Sequence, residues 1–238
     1  MITTREIEYK DEDTVCKGFI AYDSSSLHPR PGVMIAHDWV GRSKSVCDKA
    51  IQLAALGYAG FAIDMYGDAR FGNDKAERRA LMAPLMHDRN KLVARIWAAL
   101  NALSQQPFID KDKIGAIGYC FGGLCVLDLA RSGADIKGAA CFHGLLSEPE
   151  EIVRVPVNAK ILILHGYDDP LVKPEAIAQF ALEMNQRKAD WQVHMYGHTQ
   201  HSFTNREAND DEMGLHYNEC ADHRSWQSTL DFLNEILN

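Results

Sequence analysis

No run of about 18 consecutive apolar residues occurs in the chain, so the sequence offers no membrane-spanning helix. It also lacks any basic excess. Lys and Arg total 25 against 33 Asp and Glu, a formal net charge of −8, whereas a nucleic-acid partner would call for a basic stripe to displace counterions from phosphate. The opening Met1-Ile-Thr-Thr-Arg-Glu-Ile-Glu carries acids where a secretory signal would carry an apolar stretch, which predicts a cytoplasmic location. The six cysteines (Cys16, Cys47, Cys120, Cys125, Cys141, Cys220) form no C-x-x-C pair. They are too sparse for a disulfide scaffold, so free thiols are expected. There is no internal repeat, low-complexity segment or linker, and residues 1–238 read as one domain.

What is present is an alternation of short β-like runs and longer helical ones. Glu6–Tyr9 and Cys16–Tyr22 suggest a short antiparallel hairpin around Lys10-Asp-Glu-Asp. Gly32–Ala36, Tyr58–Asp64, Ile114–Gly118, Gly138–Phe142, Lys160–Leu164 and Trp191–Tyr196 read as strands. Several are apolar without alternation, as expected of strands buried on both faces. Helices are predicted over Val46–Leu56, stopped by Gly57, then Lys75–Ser104 with Pro84 as the place for a break. Phe121–Ser132, Pro174–Lys188 and about His216–Leu237 complete the set. The pattern predicts an α/β fold: a mostly parallel sheet with helices on both faces and chemistry beyond the carboxyl ends of the strands.

The strongest chemical signal is Gly118-Tyr119-Cys120-Phe121-Gly122, directly between a strand and a helix. It has the G-x-S-x-G form of a nucleophile elbow, with cysteine in the serine position. Such a turn leaves no room for side chains at the flanking positions, and it exposes the sulfur at a helix N-terminus, where a thiolate is favoured. A buried structural cysteine beside packing glycines is the plainer alternative. An elbow of this kind needs an acid and then a histidine later in the chain. Lys160-Ile-Leu-Ile-Leu-His-Gly-Tyr-Asp-Asp-Pro supplies Asp169, with Asp168 as the runner-up; both could instead begin a turn ahead of Pro170. Val193-His-Met-Tyr-Gly-His-Thr-Gln-His-Ser-Phe supplies His201, with His198 in reserve and His194 inside a strand. Their H-x3-H-x2-H spacing would suit a metal only on a helix, which Gly197 argues against, so neither metal nor cofactor is called for. The oxyanion hole would use the amide of Phe121 and one from the loop His37-Asp-Trp-Val-Gly, with Trp39 the candidate donor.

These segments, together with Ile35-Ala-His-Asp-Trp-Val-Gly, Gly57-Tyr-Ala, Asp64-Met-Tyr-Gly, His165-Gly-Tyr-Asp-Asp-Pro-Leu-Val and His201-Ser-Phe, resemble the dienelactone hydrolase (carboxymethylenebutenolidase-like) family of α/β-hydrolases over nearly the whole chain. The resemblance implies opening of lactones or cleavage of small esters through a cysteine acyl-enzyme. It also implies that Asp38 stands where a glutamate one methylene longer engages the resting thiol, although Asp38 could simply hydrogen-bond loop backbone. It further implies arginines for a substrate carboxylate, with Arg78, Arg79 and Arg206 as candidates. The expected partner is a small-molecule ester or lactone, acting on a monomer or small homo-oligomer without nucleic acid or membrane. Two rival functions remain to be weighed. One is a non-catalytic binding module on the same fold. The other is a redox-sensing cysteine, for which Cys125 is close in sequence but five residues along a helix. Met65, Tyr66, Phe71, Met82 and Met86 suggest core packing, with a pocket lining as the alternative.

Overall fold

The computed structural model describes residues 1–26, 28–150 and 153–238. Its centre is an eight-stranded sheet in the order β1-β2-β4-β3-β5-β6-β7-β8. These strands are β1 (Ile2–Asp11), β2 (Thr14–Asp23), β3 (Arg30–Ala36), β4 (Ala59–Ala62), β5 (Ile109–Tyr119), β6 (Gly138–Phe142), β7 (Lys160–Gly166) and β8 (Trp191–Tyr196). From β4 through β8 every pairing is parallel, whereas β1 pairs with β2, and β2 with β4, antiparallel. A further two-stranded ribbon joins β9 (Asn209–Asp210) to β10 (Leu215–His216).

Alternate residues of each central strand enter different cores, as the twofold period of a strand requires. Val33, Ile35, Ile117, Leu162 and Leu164 pack with α1 (Lys44–Ala55) and α6 (Glu219–Leu237). Met34, Ala116, Cys141, Ile161 and Ile163 pack on the other face with α3 (Arg89–Ser104), α4 (Phe121–Arg131) and α5 (Pro174–Gln186). On that second face the helices are also tied by buried ions. Arg89 grips Asp128 through two hydrogen bonds of 2.6 and 2.7 Å. Arg131 bonds Asp128 at 3.2 Å and both oxygens of Glu183 at 2.9 and 2.7 Å. Arg131 also reaches the carbonyls of Leu146 and Ser147, so it holds the loop after β6 as well.

Three expectations need correction. The hairpin is not short: each of its strands has ten residues, and the turn is only Glu12-Asp13, with Glu12 at φ 49°. The long helical stretch does not break at Pro84, which lies within α2 (Lys75–His87). Pro84 and Ala80 are both exposed, so the carbonyl that loses its partner can turn to water. The break falls instead at Asp88, whose extended backbone ends α2 and whose carboxylate caps α3 by accepting from the Lys91 amide at 2.9 Å. Finally, α6 begins at Glu219, capped by Asn218, because Leu215–His216 is spent on β10.

The topology itself positions the site. From β3 the chain runs first to β4 on one side and then, through α2 and α3, to β5 on the other. The carboxyl ends of β3 and β5 therefore flank the switch point of the sheet, where a crevice opens. Asp38 and Trp39 follow β3, and Cys120 follows β5.

Candidate active site

The turn at Cys120 is shaped by its glycines. A Cβ on Gly118 would lie 2.0 Å from the Gly122 carbonyl oxygen, and one on Gly122 would lie 2.2 Å from that of Ala36. Only bare Cα atoms allow α4 to begin so close to β5 and to the end of β3. Cys120 takes the cost, with φ 53° and ψ −114°, outside the regions open to ordinary L-residues. Such a conformation costs on the order of 1–3 kcal/mol and persists only when the surroundings over-determine it. Here they do: the Cys120 amide donates to Phe142 O at 3.0 Å, and its carbonyl accepts from Gly123 at 3.0 Å. The residue is half-buried, while Cys125, Cys141 and Cys16 are fully enclosed and all six cysteines are free. Burial pushes the Cys125 thiol well above its ordinary range and that of Cys141 up to about 12.

Beyond β7, Asp169 is 2% exposed and its Oδ1 accepts the Leu171 and Val172 amides at 2.8 and 3.2 Å. Its Oδ2 faces Nδ1 of His201 at 2.7 Å. His201 is fully buried, and the backbone around it is anchored on both sides. Its amide donates to Gly214 O at 3.2 Å, and its carbonyl accepts the His216 amide at 3.0 Å. Two residues on, the Phe203 ring is buried in the α1/α6 core and acts as the anchor of the loop. Because Nδ1 donates to a carboxylate, Nε2 is left for other work, and it is buried without a hydrogen-bond partner among the described residues. Burial works against a charged ring at His201, but the Cys120 sulfur and the Asp169 carboxylate outweigh it and raise the pKa from 6.5 to about 10.

The reserve residues also meet each other, on the surface. His198 lies 3.9 Å from Asp168, with side-chain exposures of 103% and 46%, so that pair is open to water and weakly held. His194 instead faces Ser228 at 3.2 Å. The three histidines of the H-x3-H-x2-H run thus go to three different places.

Asp38 is half-buried and its Oδ1 accepts the Val40 amide at 2.9 Å, the local backbone contact expected as its plainer use. Burial raises its pKa, opposed by the Val40 amide and by the nearby His37, Arg78 and His201. Of the candidate arginines, Arg78 lies beside Asp38, its guanidinium 5.6 Å from the Trp39 ring centre and anchored on Gly72 O at 3.0 Å. Arg79 is exposed, and Arg206 lies in charge range of Lys49, Tyr217 and Asp222. Among the described residues, the amides of Trp39 and Phe121 have no hydrogen-bond partner. Met65 and Tyr66 are buried as core residues, whereas Phe71 is 55% exposed.

Two residues beside the site escaped sequence reasoning. His37 is fully buried behind the Trp39 loop, and His143 packs its ring 5.1 Å from that of His201. Their only signal in the sequence is position: each is the first residue after a central strand, β3 and β6, at the carboxyl edge where chemistry collects.

A mostly parallel sheet in this strand order, with a sharp strand-to-helix turn at its switch point, is the α/β-hydrolase fold. The sequence model of the dienelactone hydrolase family matches residues 16–237, and the chain belongs to that family. Among solved structures it is similar to a dienelactone hydrolase-like promiscuous phosphotriesterase from metagenomic libraries. That structure is 37% identical with a TM-score of 0.94, over 100% of this chain and 99% of the other. Curated relatives include an uncharacterized protein of Caenorhabditis elegans, 42% identical over 62% of this chain and 96% of the relative. The carboxymethylenebutenolidase of Pseudomonas putida is 27% identical over 76% of this chain and 78% of its own.

Proposed function

We propose that this chain hydrolyses small carboxylic esters or lactones through a cysteine acyl-enzyme, with Cys120 as nucleophile, His201 as its base and Asp169 as the group that orients His201. That it is a carboxylic-ester or lactone hydrolase follows from its family. The observation that carries the finer reading is the buried Asp169–His201 contact, supported by the pull of the Cys120 sulfur that helps to raise the His201 pKa.

In the proposed cycle the Cys120 thiolate attacks the substrate carbonyl carbon and the carbonyl π pair moves to oxygen. The amides of Trp39 and Phe121 receive that oxyanion. Collapse expels the alcohol oxygen, which takes the Nε2 proton of His201 and leaves a thioester on Cys120. Water then gives its proton to His201 as it attacks the thioester, and collapse returns the thiolate and the acid. Asp169 holds the ring in the tautomer that keeps Nε2 facing the reaction and stabilises its charged form. In a lactone the leaving oxygen stays attached to the acyl group, so one product is released.

Hydrolysis of p-nitrophenyl acetate by the wild type and Cys120→Ala tests this. Loss of the nucleophile should lower kcat by about 10⁴–10⁶, and an acetyl adduct on Cys120 should be trapped by acid quench of the wild type. Equal rates in the two proteins would overturn it. Because a 37% identical neighbour is described as a promiscuous phosphotriesterase, an aryl phosphotriester belongs in the same assay.

A further inference from the structure

Resting on the cysteine-hydrolase reading above, we propose that His37 is the positioning residue of the oxyanion hole, orienting and polarising the peptide whose N–H Trp39 presents. His37 is fully buried, and both of its ring nitrogens are engaged. Nε2 lies 3.2 Å from the Met65 amide nitrogen, and Nδ1 lies 2.7 Å from the Asp38 carbonyl oxygen. A backbone N–H can only donate, so Nε2 accepts; Nδ1 therefore carries the proton and donates to Asp38.

The Asp38 carbonyl and the Trp39 N–H are opposite ends of one planar trans peptide. Fixing the oxygen on the His37 side fixes the direction of the N–H, which points away from the ring. A hydrogen bond to the carbonyl also polarises the unit and makes its N–H a stronger donor. That N–H has no partner among the described residues, as a donor reserved for a developing charge requires.

The ring cannot easily turn. Tyr66 meets it edge-on with centroids 4.7 Å apart, and Phe121 lies 6.2 Å away. Tyr66 also donates its hydroxyl to Trp39 O at 3.1 Å, fixing the next peptide, and stacks on Phe121 at 5.8 Å. One buried aromatic group thus backs both amides assigned to the oxyanion. Burial pushes the His37 pKa down, so the ring stays neutral and keeps one donor and one acceptor.

A merely structural strut between the ends of β3 and β4 would make the same contacts, so the test must separate the two. His37→Asn, His37→Gln and His37→Phe are compared with the wild type and Cys120→Ala. The readouts are kcat and KM for p-nitrophenyl acetate, the rate of Cys120 alkylation by iodoacetamide, and the melting temperature. Asparagine carries its amide nitrogen near the Nδ1 position, glutamine near Nε2. Alkylation passes through no oxyanion, so it reports the elbow alone. His37→Phe and His37→Gln should lose about 10- to 100-fold in kcat, less than the outright removal of a donor. KM and alkylation should stay within about twofold, and His37→Asn should recover most of kcat. Wild-type kcat in His37→Phe, a parallel fall in alkylation, or asparagine no better than glutamine would each overturn the role. Full activity in Cys120→Ala would instead sink the cysteine-hydrolase reading and this role with it.

Discussion

Asp169 and His201 lie 32 positions apart in the chain, yet their Oδ2 and Nδ1 atoms are 2.7 Å apart in a fully buried contact. The pair, with the Cys120 sulfur, holds a proton on His201 more firmly in the fold than in the unfolded chain, where the pKa is near 6.5 rather than about 10. The resulting stability is complete below the unfolded value, where the ring is charged in both states. It declines as pH rises from there and is gone once the folded ring deprotonates near 10. In Cys120→Ala the sulfur's share is missing, so the decline should be smaller in total and finish at lower pH. Urea unfolding of both proteins across this range measures the difference, and superimposable profiles would remove the sulfur from the account.

The glycines of the elbow predict a graded series. In Gly122→Ala the new Cβ would meet the carbonyl oxygens of Ala36 and His37 at 2.2 and 2.5 Å, backbone atoms that cannot swing aside. The start of α4 must move, so stability and esterase activity should fall together. Gly57 has open space around its Cβ position but a φ of +96°, so Gly57→Ala should cost about 1 kcal/mol and leave kcat unchanged. Gly197 has neither crowding nor positive φ, and Gly197→Ala should be silent in both assays.

This graded geometry explains why the elbow was legible in the sequence: Gly118 faces Gly122 only four positions on, Gly122 faces the end of the neighbouring strand, and glycine is the only residue that meets both constraints. The strands buried on both faces were legible for a similar local reason, their unbroken apolar runs. The length of the hairpin was not, because β1 buries only Ile7 and Tyr9 and its outer residues face water without periodicity. Nor was the helix break, since whether Pro84 or Asp88 ends α2 depends on solvent reaching the Ala80 carbonyl. His37 was hidden because its partner, Met65, stands 28 residues away in the loop that follows β4.

The buried ion network predicts a stability effect separable from chemistry. Arg131 is 1% exposed and bonds Asp128, Glu183 and two carbonyls of the loop after β6. Arg131→Met leaves Glu183 without its bidentate partner in the interior and Asp128 with Arg89 alone, which should cost about 3–5 kcal/mol. Urea unfolding would read this directly, and a loss below about 1 kcal/mol would mean that water or Arg89 and Arg187 take over the pairing.

The arginines divide by position, and that division sets the last test. Arg78 bonds Gly72 O through Nε and Asn73 O through Nη2, which fixes its guanidinium beside Trp39 and Asp38. Among the described residues its Nη1 makes no hydrogen bond, so one face of the fork is open to a carboxylate near the proposed oxyanion site. Arg79 projects into solvent, and Arg206 is placed with Asp222, Tyr217 and Lys49. Arg78→Ala should therefore raise KM about tenfold for an ester or lactone bearing a free carboxylate, the cost of roughly one charged hydrogen bond. The KM for a neutral ester of the same size should hold. Arg79→Ala should change neither, because a solvated guanidinium has no fixed geometry to lose. Equal effects of Arg78→Ala on charged and neutral substrates would mean that the side chain supports the Trp39 loop rather than reads the substrate's charge.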